Sequence, residues 1–148
     1  MQNIVLPILD RDFVGKLIPQ KFPFVMVHKV LAFGENFITS GFTIEESNIF
    51  TKNEIFQEAG LIEHMAQSVA LYTGYQFYLK NEPASTGYIG AIKSIEIFQL
   101  PKIKDNLITK VKVLHEFSGV TLVDISVLSD NVEIASGQMK TVLAQHNE

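Results

Sequence analysis

The sequence contains no cysteine. That excludes disulfides, thiolate metal sites and a cysteine nucleophile. It also lacks an excess of positive charge. Twelve Lys and Arg stand against 16 Asp and Glu, a formal net charge of −4. General nucleic-acid binding calls for the opposite balance. No run approaches the ~18 uninterrupted apolar residues of a membrane-spanning helix. Met1–Asp10 has no basic region, no long apolar stretch and no small-residue cleavage site, so it does not read as a signal peptide. The four histidines, 28, 64, 115 and 146, include no i, i+4 pair, so the zinc-hydrolase spacing is missing. Gly87-Tyr88-Ile89-Gly90 is too short for a phosphate loop and lacks the following helix and Lys. Ser94, Ser118 and Ser126 lie outside any strand–turn–helix elbow, which removes the usual setting of a serine nucleophile. These absences lead us to expect a soluble, cytoplasmic chain that holds no metal, inserts in no membrane and binds no nucleic acid.

What is present is a chain of 148 residues, 47% hydrophobic and 19% charged. This length predicts a single domain, 1–148, able to bury roughly 70% of its unfolded surface. No linker, repeat or low-complexity segment divides it. Residues 1–23 read as irregular or partly helical, punctuated by Pro19 and Pro23. Phe24–Phe33 and Phe37–Ile44 read as a hairpin about Gly34-Glu35-Asn36, the second strand alternating with a period of two. Residues 45–58 read as a polar loop. A long helix follows over Ala59–Lys80, closed by Pro83. The rest reads as strand: Tyr88–Phe98, Leu107–Phe117, Thr121–Ser129 and Val132–Ala144, with turns at Ser118-Gly119 and Asp130-Asn131. One buried helix wrapped by an antiparallel sheet is an α+β arrangement.

The helix carries a single acid, Glu63, in an otherwise apolar or small run. A helix apolar nearly all round is buried, and a carboxylate inside it must be paired, neutralised or used in chemistry. Its bland reading is a partly exposed acid that favours the helix dipole. Ala66, Ala70 and Gly74 make a flat strip on the side of Glu63, where another element can come close. Gln67, one turn on, can hydrogen-bond the carboxylate or a backbone group. His64 points about 100° away from Glu63. His115 shares a strand face with Val111 and Val113 and reads as a core residue, and His146 as a solvated tail residue. Lys102, Lys104, Lys110 and Lys112 form the one basic concentration, either a docking site for an acidic partner or a solvated edge guarded by Lys.

Three segments resemble one family in order and spacing: Leu17-Ile18-Pro19-Gln20-Lys21-Phe22-Pro23-Phe24 with Val27-His28-Lys29-Val30, then Leu61-Ile62-Glu63-His64-Met65-Ala66-Gln67, then Gly87–Lys93 with Phe98-Gln99-Leu100-Pro101. They resemble the 3-hydroxyacyl-acyl-carrier-protein dehydratases. Gln67-Ser68-Val69 and Gly74-Tyr75 resemble the dehydratase-like branch of aryl-polyene and flexirubin-type pigment pathways. The resemblance implies the hotdog fold, one long central helix wrapped by a curved antiparallel sheet. It implies a homodimer, or a heterodimer with a related hotdog subunit, and no cofactor beyond the phosphopantetheine of an acyl carrier protein that brings the substrate. It implies Glu63 as the catalytic acid and places Glu58, Gly60, Gln67, Ile89, Gly90 and Ala91 against the substrate.

The same resemblance exposes a departure. The family places a catalytic His upstream of the helix motif, and residues 45–63 contain none. Asn48-Ile49-Phe50-Thr51 stands there instead, and Gln57-Glu58 replaces the Pro-Gly pair that opens the helix. A lost general base removes about 10²–10⁴-fold in rate. Three functions therefore stay open: a dehydratase of fatty-acid or polyene biosynthesis, a catalytically degenerate acyl- or carrier-protein-binding subunit that pairs with an active dehydratase, and an acyl thioesterase that uses Glu63 alone.

Overall fold

The computed structural model describes residues 5–83 and 87–143, so Ala144 and His146 lie outside the described residues. The chain opens with a short helix, α1 (Arg11–Lys16), capped by Asp10, whose carboxylate accepts from the N–H groups of Asp12 and Phe13. Strands β1 (Lys29–Gly34) and β2 (Phe37–Thr43) form the expected hairpin. The long helix α2 spans Glu58–Leu79. Strands β5 (Gly87–Ile97), β6 (Asn106–Phe117), β7 (Val120–Ser129) and β8 (Val132–Leu143) follow. The antiparallel sheet runs β1-β2-β6-β7-β8-β5, with α2 against one face. This is the hotdog arrangement expected from the sequence.

The two-residue turns Ser118-Gly119 and Asp130-Asn131 each hold both residues at positive φ. That backbone matches the right-handed twist of the strands they join. Leu107, Thr109, Val111 and Val113 of β6 bury one face under α2, while Lys110 and Lys112 lie on the opposite, exposed face. Because β6 sits between β2 and β7, these lysines cover the outer face of the sheet rather than guard an edge.

Four expectations change in detail. Phe24–His28 is not strand: the backbone groups of Phe24 and Met26 bond to side chains of α2, and β1 begins at Lys29. The polar loop 45–58 contains a small hairpin, β3 (Thr51–Lys52) and β4 (Ile55–Phe56), whose turn residues Asn53 and Glu54 have positive φ. It delivers Phe56 fully buried into the core. His115 is exposed, not core: a bulge between Val113 and His115 breaks the alternation near the strand end. Gly74 is more than part of a flat strip. A Cβ there would stand 1.8 Å from the carbonyl oxygen of Leu17, so the chain after α1 crosses α2 backbone to backbone.

Candidate active site

Helix α2 presents two working faces. On one, His64 and Gln67 hold the segment 24–26. The N–H of Met26 donates to Gln67 Oε1 at 2.6 Å, and Gln67 Nε2 donates to the Phe24 carbonyl at 2.8 Å. His64 Nδ1–H donates to the Met26 carbonyl at 2.6 Å, which leaves Nε2 to accept from the Thr109 hydroxyl at 2.6 Å. Ser68 donates to the His64 carbonyl and receives the Ser40 hydroxyl. His64 is fully buried, and burial pushes its pKa down to about 4 against the smaller opposing pull of the Met26 carbonyl. It is a neutral structural imidazole.

On the other face, Glu63, Ala66, Ala70 and Thr73 line a cavity of about 380 Å³. These positions follow helical spacing, and the small side chains at 66 and 70 leave the volume that a Leu would fill. Leu17–Gln20 covers this face from outside, and Ile89 of β5 with Thr141 and Leu143 of β8 completes the enclosure. Gly74, by letting Leu17 approach, sets the position of that cover.

Two oxygens on this wall are exceptional. Among the described residues, only Glu63 Oε2 and Gln20 Oε1 are buried side-chain atoms without a hydrogen-bond partner. A buried acceptor left unpaired costs about 1–3 kcal/mol, and native proteins keep few of them. A second, wider groove of about 650 Å³ shares Lys16 and Gln20 with the cavity and continues along Phe22, Pro23 and Val25 to His28. The Thr43 N–H donates to His28 Nε2 at 2.9 Å, so His28 carries its proton on Nδ1. Burial first, then the charges of Arg11 and Lys29, hold its pKa down at about 4.

The remaining sequence-predicted site residues divide. Ile89 lines the cavity with Glu63. Gly90 and Ala91 are exposed on β5 beside it. Gly60 is buried where a Cβ would meet Phe50 and Phe56 at 2.5 and 2.6 Å, so its lack of a side chain serves packing. Glu58 is exposed and faces a shallow groove with Ile95, Ile97 and Phe98. Gln67 bonds backbone groups rather than the Glu63 carboxylate, and both ends of its amide are engaged. No histidine lines the cavity among the described residues. Gln20 was not among the expected site residues. Its signal was its place in the opening motif, where the resembled family has a His.

Comparison with known proteins decides the lineage. The family model for ApeP-like proteins, described as the ApeP dehydratase, matches residues 13–148. The chain belongs to the ApeP-like dehydratase family. No curated protein matches this ApeP-like sequence significantly. Among solved structures it is similar to a chain of the dehydratase heterocomplex ApeI:P from Xenorhabdus doucetiae, at 16% identity and a TM-score of 0.84, covering 96% of this chain and 93% of that one. It is also similar to the PaaI protein of the phenylacetic acid degradation operon of E. coli, at 14% identity and a TM-score of 0.62, over 76% and 80% of the two chains. A hypothetical thioesterase with coenzyme A from Streptococcus pneumoniae aligns at 11% identity and a TM-score of 0.65, over 80% and 90%. At these identities the structural likeness concerns the fold.

Proposed function

We propose that this chain is one subunit of a dehydratase that removes water from 3-hydroxyacyl thioesters, carried on the phosphopantetheine of an acyl carrier protein in a polyene or fatty-acid pathway. The observation that carries the reading is Glu63: a carboxylate whose Oε2 has no partner, in the wall of a cavity that the apolar Leu17, Ile18, Val69 and Ile89 line together with Lys16, Gln20 and two threonines. In this role the Glu63 carboxyl gives its proton to the 3-hydroxyl as the C–O bond breaks, and water leaves. The proton alpha to the thioester carbonyl must go to a base.

That base comes from a second hotdog subunit in this reading. His64 has both ring nitrogens bonded in the core, His28 lies in the wider groove, and His115 is exposed on β6. Strand β5 ends the sheet, and its Ile89 and Ile92 are 41% and 48% exposed. An edge of 11 residues invites another strand. A partner pairing on β5 would lie beside Ile89, and so beside the Glu63 cavity. The heterocomplex named for the similar Xenorhabdus doucetiae structure gives a precedent for two unlike subunits.

Purified chain is mixed with a related hotdog subunit that keeps its His, and water loss from a 3-hydroxyacyl carrier protein is followed by mass spectrometry. The pair is expected to be active, and Glu63→Gln in this chain is expected to remove about 10²–10⁴-fold of that rate. Water loss untouched by Glu63→Gln leaves this chain a non-catalytic partner. Release of free thiol without water loss makes it a thioesterase.

A further inference from the structure

Glu63 accounts for one of the two unpartnered buried oxygens, and Gln20 holds the other. Every other buried side-chain nitrogen and oxygen among the described residues has a partner within the chain. The two exceptions share one cavity. No described residue pairs Gln20 Oε1 where it stands. Its terminal amide sits on a broad, two-fold torsion. A half-turn about that torsion offers the cavity either its carbonyl oxygen or its NH₂.

The position of Gln20 tells which part of a ligand it meets. It lines both the Glu63 cavity and the wider groove, so it stands between the two. A ligand whose reacting carbon rests at Glu63 and which leaves through the groove passes Gln20 beyond the thioester. Lys16 stands at the same junction, exposed and without an ion pair among the described residues, whereas Arg11 is already engaged by Glu45. A free cation there suits a ligand whose outer end carries phosphate. In a phosphopantetheine thioester, two secondary amides lie between the thioester and the pantoyl hydroxyl that precedes the phosphate. A secondary amide offers one N–H and one carbonyl, and a Gln side chain complements either.

We propose that Gln20 binds an amide of the pantetheine arm and so sets how far the acyl group enters toward Glu63. The assignment rests on the thioester reading given above. It makes Gln20 a substrate-binding residue that discriminates by the arm and not by the acyl chain.

The test uses two unreactive thioethers with the same 3-hydroxyhexyl group, one on pantetheine and one on an alkyl arm of equal length. Binding to the full chain, alone and with its His-bearing partner, is measured by calorimetry. The parent is expected to prefer the pantetheine ligand by roughly tenfold, the worth of one net hydrogen bond. Gln20→Met, which keeps the volume and removes the amide, is expected to erase that preference and leave affinity for the alkyl ligand unchanged. Its melting temperature is expected to hold or rise, because no partner in the chain is lost. A preference that survives Gln20→Met overturns the assignment. So does a parent that binds both ligands equally, or a variant that loses subunit pairing in sedimentation. A parent that binds neither ligand sinks the thioester reading itself, and this inference with it.

Discussion

Gln67 replaces a strand for Met26. Its side-chain carbonyl takes the Met26 N–H at 2.6 Å, and its NH₂ reaches the Phe24 carbonyl two residues back. A β-neighbour would satisfy the same backbone groups. Here a helix side chain does so, and the segment leading to β1 docks on α2 without joining the sheet. Gln67→Leu leaves a donor and an acceptor unpaired. We expect a loss of about 2–4 kcal/mol, read from urea denaturation, with Gln67→Glu falling between the two because it keeps only the acceptor.

His64 makes stability pH-dependent. Its pKa is lowered from 6.5 to about 4 in the fold, chiefly by burial. Between these values the unfolded chain binds a proton that the folded chain refuses. The stabilisation from a neutral His64 is therefore complete above pH 6.5 and is lost as pH falls toward 4. The loss from this group is on the order of 3 kcal/mol across that window. Denaturation at pH 7.5 and pH 5 gives a slope to which His28, lowered to about 4 as well, adds in the same direction, and the His64 imidazole resonance is expected to stay unshifted down to about pH 4. A resonance that titrates near 6.5 in the folded protein would contradict the burial argument.

Gly74→Ala puts a Cβ into the space held by the Leu17 carbonyl. Helix propensity alone would favour Ala by about 1 kcal/mol. The backbone contact outweighs it, and we expect a net loss of about 1–3 kcal/mol from forced displacement. Because Leu17–Gln20 covers the Glu63 cavity, ligand binding is expected to weaken in the same variant. A more stable Gly74→Ala protein would show that the cover moves freely.

Ala70→Leu tests the cavity by filling it. The added volume points into about 380 Å³ of free space, so the fold is expected to tolerate it within about 1 kcal/mol. Thioester binding is expected to fall at least tenfold, measured by calorimetry. Equal binding would mean the acyl group lies elsewhere.

Glu63→Leu separates chemistry from folding. The parent carboxylate has an oxygen without a partner, so its removal is expected to leave stability unchanged or raise it by about 1 kcal/mol. Turnover by the paired enzyme is expected to fall by about 10² or more. A clear drop in melting temperature would mean that Glu63 is structural.

The helix was legible as a long apolar run closed by Pro83 and the later strands as apolar stretches between turns, and the turns at 118–119 and 130–131 carry residues suited to positive φ. Phe24–His28 misleads because its Val and Phe content fits a strand, while the partners of the Phe24 and Met26 backbone lie 38 to 43 residues away on a helix. His115 misleads because a bulge is a register event, set by how β6 meets β7 and not by the composition of either. Glu63 stood out as the only acid in an apolar helix. Gln20 did not, since its place in the opening motif says nothing about which cavity the fold will bring it to.

The adjacent residues Glu63 and His64 serve different faces of α2, about 100° apart, one bordering the cavity and the other bonded into the core. Positions 63, 66, 70 and 73 thereby carry none of the side-chain hydrogen bonds that tie the helix to the segment 24–26. A lineage, or a designer, can rewrite that row for a different ligand while 64 and 67 keep their bonds to the segment 24–26. The helix works as a replaceable tool face on a fixed handle, which makes this chain a scaffold on which new specificities can be tried one residue at a time.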